Sequence, residues 1–146
     1  MELLNDLAFD LVAGLAYGVV GIALMLVGYK VIDLLTPGDL GQLLVTHRRR
    51  DAGLVVGAST LGIGLIVSVA ILTSGGDLVR GLAESAGFGA IGIALMAGAF
   101  LAVDRVTPGS LGDIVFDEHE HEDPALAYVI AAFLLAVAGI IAAAIS

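Results

Sequence analysis

The sequence predicts an all-α integral membrane protein with four transmembrane helices, arranged as two tandem, parallel two-helix repeats. Three observations carry this. Hydrophobic residues make up 59% of the chain and charged residues 14%, against about 45–50% and about 25% in soluble domains, and the mean hydropathy is +1.05. Four apolar stretches of about twenty residues contain no charged side chain, each long enough at about 1.5 Å per residue to cross roughly 30 Å of hydrocarbon. The two halves of the chain also match each other at an offset of 71 residues.

A chain of 146 residues is one domain in length, and so short a chain cannot hide this much apolar surface in a soluble core. Lipid has to cover it. With no water to satisfy exposed backbone groups, the spanning segments must be helices.

The first span runs from about Leu11 to Tyr29. The segment ahead of it, Met1–Asp10, carries Glu2, Asp6 and Asp10 and no Lys or Arg. It therefore lacks the positive start of a cleaved signal. The second span is Gly53–Leu72, the third Ala86–Val103 and the fourth Ala125–Ile145. Repeat one covers about 11–72 and repeat two about 86–145 of a single membrane domain, 1–146. Trp is absent and Tyr occurs three times, so aromatic anchoring at the interfaces is thin. Small residues four apart, Gly14 and Gly18, Gly53 and Gly57, and Ala90, Ala94 and Gly98, would let helix backbones approach closely, within the bundle or between copies.

The connections set an expected orientation. Loop one holds Lys30, Arg48, Arg49 and Arg50, loop three holds Arg105, and loop two between them holds only Arg80. The positive-inside rule puts loops one and three in the cytoplasm and both termini outside, in the plasma (inner) membrane. Acidic residues count little in that rule, so Glu118, Glu120 and Glu122 do not overturn it.

The repeat is specific. Tyr17–Leu44 and Phe88–Val115 are identical at 12 of 28 positions, including Gly21-Ile22-Ala23-Leu24-Met25 against Gly92-Ile93-Ala94-Leu95-Met96. Chance similarity between apolar helices does not account for Thr36-Pro37-Gly38 and Thr107-Pro108-Gly109 in the same register outside the spans. Each unit holds two spans, so both enter the membrane in the same direction, a parallel repeat about an axis along the membrane normal. Thr36 and Thr107 suit helix N-caps, with Pro37 and Pro108 at the first helical position. Leu40, Leu43 and Leu44, and Leu111, Ile114 and Val115, then share one face, predicting a short interfacial helix after spans one and three.

The four spans, the duplicated hairpin, an Asp at the end of each odd span and the Thr-Pro that follows together resemble the YjfL-type inner-membrane proteins, the domain-of-unknown-function family numbered three hundred and fifty. The resemblance covers nearly the whole chain. It implies an inner- or plasma-membrane protein and brings no activity with it. Members usually carry an Asn-x-Ala-like start to each even span. Here those places read Asp51-Ala52-Gly53 and Asp123-Pro124-Ala125, which puts any role of that Asn in doubt for this chain.

Asp33 and Asp104 occupy equivalent repeat positions, and an ionisable residue near membrane depth is a functional candidate. They form a candidate ion or proton site if the repeats bring both to one cavity. If they lie at headgroup level instead, Lys30 and Arg105 are their partners. His119 and His121 sit in the run Asp117–Asp123; they are weak metal candidates, because the spacing is that of a solvated acidic loop. Loops one and three have diverged, with His47-Arg48-Arg49-Arg50 in one copy where the other has Glu118-His119-Glu120-His121, and these segments are expected to pair.

Phosphate-loop, dinucleotide and triad patterns are missing from the sequence, so no enzyme and no cofactor are expected. Cysteine is absent, which rules out disulfides and thiolate chemistry. The net charge of −9 argues against nucleic acid as a partner. What remains is a small oligomeric transporter or channel for an ion or small solute. The alternative is a membrane scaffold or accessory subunit that recruits a cytoplasmic partner through its charged loops. In both cases the bilayer and further copies of the chain are the expected partners.

Overall fold

A computed structural model describes residues 2–35, 50–106 and 124–146. Among them there are four helices: α1 Glu2–Leu35, α2 Arg50–Thr73, α3 Leu78–Val106 and α4 Pro124–Ile145. Each is long and apolar enough to cross a membrane. The protein is an all-helical, four-span membrane protein.

The helices outrun the apolar spans read from the sequence. α1 begins at Glu2 and ends at Leu35, beyond both limits of the expected Leu11–Tyr29. α3 begins at Leu78, so the expected loop Thr73–Ser85 shrinks to a turn at residues 74–77. The reason is physical. Hydropathy marks where lipid begins, whereas a helix already satisfying its backbone costs little to extend by a turn or two into water. In the added turns of α3, Arg80 Nε donates to Glu84 Oε1 at 2.8 Å, one helical turn away. Gly76 supplies the turn with a φ of +90°, a conformation open to a residue without a Cβ. The expected interfacial helices fall at residues outside those described.

The helices are not equivalent in burial. Of its apolar window, α2 buries 50% and α1 11%. α2 packs against each of the other three helices and most extensively against α4; α3 likewise meets all three, while α1 and α4 barely touch. The result is a staggered strip, with α1 beside α3 in one row and α2 beside α4 in the other. A two-fold axis relating the hairpins would require the α2–α3 contact to recur between α4 and α1. It does not, so the hairpins sit side by side and the expected axis along the membrane normal is not seen in the contacts.

The core is built where α2 meets α3 and α4. Ile63, Ile66, Met96 and Leu134 are fully buried. In lipid, apolar side chains gain little by leaving their surroundings, so close packing and small residues hold the helices. A Cβ at Gly62 would stand 2.8 Å from Ala138 Cβ, and one at Gly89 would stand 2.6 Å from Leu24 Cδ1. One at Gly92 would fall on Ile66 Cγ2. The backbone can come this near only because these positions carry no side chain. Outward-facing residues such as Leu15, Ile22, Leu61 and Ile140 are large, apolar and exposed, as a lipid-facing surface requires.

Candidate functional site

Asp33 lies in the last turn of α1, its side chain 21% exposed. Lys30 Nζ, one turn earlier, donates to Asp33 Oδ2 at 3.2 Å. This is the Lys30–Asp33 pair anticipated from the spacing. With Lys30 73% exposed, it is worth no more than about 0–1 kcal/mol. Asp104 sits two residues from the end of α3 and is half-buried, with Arg105 beside it exposed. α1 and α3 run in the same direction, with Tyr17 at Gly81, Leu24 at Gly89 and Gly28 near Ile93, so both carboxylates stand toward one end of the strip, Asp104 about six residues, or roughly 9 Å, further along it than Asp33.

Arg48, Arg49, His119, His121, Glu118, Glu120 and Glu122 lie outside the described residues, and Arg50 enters only as the first residue of α2. Among the described residues, no three acidic or histidine side chains gather into a metal-binding group.

α2 brings hydroxyls into the apolar interior. Its polar groups are tied back to the backbone. Ser59 Oγ donates to Val55 O and Thr60 Oγ1 to Val56 O, both at 2.8 Å, and Thr73 Oγ1 donates to Val69 O at 2.9 Å. These bonds to the carbonyl four residues earlier are the usual fate of hydroxyls on membrane helices. No buried side-chain N or O among the described residues lacks a partner.

Two features escaped the sequence reading. At the α2–α3 turn, Ser74 Oγ donates to Ile71 O at 2.7 Å, and the fully buried Ser85 hydroxyl lies 2.8 Å from Ser74 Oγ and 2.8 Å from Gly81 O. The Gly75 N–H reaches Glu84 Oε2 at 3.4 Å. The second feature is an open groove of about 540 Å³ between α1 and α2, floored by Gly14, Gly18, Gly21, Gly64, Val67 and Ser68. Nothing lies within 4 Å of where a Cβ would stand at Gly14 or Gly18. Tyr17 closes one side, its hydroxyl against Gly81. The Gly14-xxx-Gly18 spacing was visible in the sequence, but it does not say whether a helix of the same chain covers it.

Comparison with known proteins gives one consistent family. Residues 5–145 match the family described as Domain of Unknown Function (DUF350). A UPF0719 transmembrane protein of Mycolicibacterium paratuberculosis is 40% identical over 147 aligned residues, covering 98% of this chain and 93% of that protein. UPF0719 transmembrane proteins of Mycobacterium bovis and Mycobacterium tuberculosis are each 35% identical, covering 98% of this chain and 92% of theirs. No solved structure matches.

Proposed function

The chain belongs to the DUF350 family, and on that premise we propose that it is a subunit of an oligomeric plasma-membrane pathway for an ion or small solute, with Asp33 and Asp104 at its cytoplasmic mouth. The observation that carries this is the pair of repeat-equivalent carboxylates toward one end of adjacent helices. Carboxylates kept there favour a cation or proton over an anion. Because the packed interior holds its hydroxyls against their own helices, the pathway runs between copies of the chain. Arg48–Arg50 set the orientation in this reading, with the carboxylate end in the cytoplasm and both termini outside. Flux through purified protein in liposomes tests it. Cation or proton flux that falls when Asp33 and Asp104 are changed to Asn supports the pathway, and flux indifferent to both rejects this site.

A scaffold that recruits a cytoplasmic protein through loops one and three is the second reading. The closed apolar core favours it, since Ile66 and Leu134 are wholly buried and a structural hub needs no channel. Stable co-purification of a soluble protein, lost on replacing Arg48–Arg50, together with no measurable flux, would select this reading.

A further inference from the structure

The two halves expose opposite faces of the same helix. On α3, Ser85, Gly89, Gly92, Ile93 and Met96 are all buried inside the chain. At an offset of 71 residues their counterparts on α1 are Gly14, Gly18, Gly21, Ile22 and Met25. Of these, Gly14, Gly18 and Ile22 are exposed and the other two half-buried, and they line the open groove. The converse holds for the residues that fill the α3 face. Leu24 of α1 seats on Gly89 and is buried with Gly28 and Ile32. Their counterparts on α3 are Leu95, which is 53% exposed, and the half-buried Ala99 and Val103.

Each chain therefore carries a used plug and socket, Leu24 in Gly89, and an unused pair made of the same residue types, Leu95 and the Gly18 groove. We propose that the occupant of the α1–α2 groove is a second copy of this chain, which inserts Leu95 of its α3 over Gly18 and so extends the side-by-side packing of the hairpins from one chain into the next. The contact is head-to-tail, because plug and socket are on different helices. Such contacts close into rings or run on as chains. Small residues at the socket let the backbones approach, which is the main source of helix affinity in lipid. This inference stands on the repeat and the packing, independently of whether the assembly conducts anything.

The protein has no native cysteine, so cross-linking is unambiguous. Differently tagged Gly18→Cys and Leu95→Cys chains are co-expressed and oxidised in the membrane. The mixture should give a disulfide dimer carrying both tags, the doubly substituted chain a ladder of multimers, and each single variant alone no dimer. The intrachain pair Leu24→Cys with Gly89→Cys serves as the positive control. No mixed dimer overturns the proposal and leaves the groove to lipid chains. A dimer from Gly18→Cys alone overturns it in favour of symmetric pairing of α1 helices. Subunit counting by photobleaching in nanodiscs gives a second readout: Gly18→Phe, which fills the groove without touching the monomer core, should reduce multiple copies to one. An unchanged count would equally reject the head-to-tail contact.

Discussion

The Ser85 hydroxyl donates to that of Ser74 at 2.8 Å, which holds the turn after α2 to the first turns of α3. Ser85 is fully buried. Ser85→Ala should lower stability in bicelles by about 0.6 kcal/mol, and by no more than about 1.7, the range measured for hydrogen bonds between membrane helices. Ser85→Val should cost more, about 1–3 kcal/mol, because it also overpacks the site. Reversible unfolding of the two variants side by side checks the order.

Glycines at close approach should separate sharply from glycines facing lipid. Gly92→Ala places a methyl on Ile66 Cγ2 with Ile145 Cδ1 3.4 Å behind, and should destabilise by about 1–3 kcal/mol. Gly98→Ala, with nothing within 4 Å, should be neutral or slightly stabilising through helix propensity. Equal effects at the two positions would contradict the packing described for α3.

The two carboxylates should behave as equals. Asp33→Asn is expected to change stability by no more than about 1 kcal/mol, since its partner Lys30 is 73% exposed and such a pair is worth about 0–1 kcal/mol. In a flux assay Asp33→Asn and Asp104→Asn should reduce transport alike, and the double variant should fall short of the sum. A strong loss in one variant alone would remove the paired site.

Orientation is checked by labelling. Single cysteines at positions 47 and 119 should react with impermeant reagents only from the cytoplasmic side. Labelling of either in intact cells would invert the topology.

The divergent loops should pair by charge. Replacing Arg48–Arg50 with Glu should loosen the assembly, and adding Arg at positions 118, 120 and 122 should restore it. High salt should mimic the first change, because the screening length is about 8 Å at physiological ionic strength. If the second set restores nothing, the arginines serve anionic lipid instead.

What could be read from the sequence follows the strength of the forces involved. All four spans were legible because a charged side chain in hydrocarbon is costly, and Leu11–Tyr29 and its three companions have none. The Lys30–Asp33 bond was legible because it is local, three residues apart on one helix. The true lengths of α1 and α3 were not, since the turns carrying Asp6 or Arg80 look polar although they remain helical. Nor was the choice of glycines. Gly14 and Gly92 look alike as letters, and only the positions of Ile66 and Ile141 on other helices decide that the second is buried and the first open. Contacts between distant segments leave little trace in local pattern.

The dominance of the α2–α4 contact has a consequence for biogenesis. Gly62 of α2 packs against Ala138 and Leu134 of α4, which reach the ribosomal exit long after α2. At about 5–20 residues per second, α2 waits on the order of several seconds for its main neighbour. During that interval α2 and α3, joined by a turn of a few residues, must persist as a hairpin whose inner face meets only lipid or the insertion machinery. Nascent chains stalled before Pro124 would thus present Gly62 and its neighbours as a surface that membrane proteases can recognise.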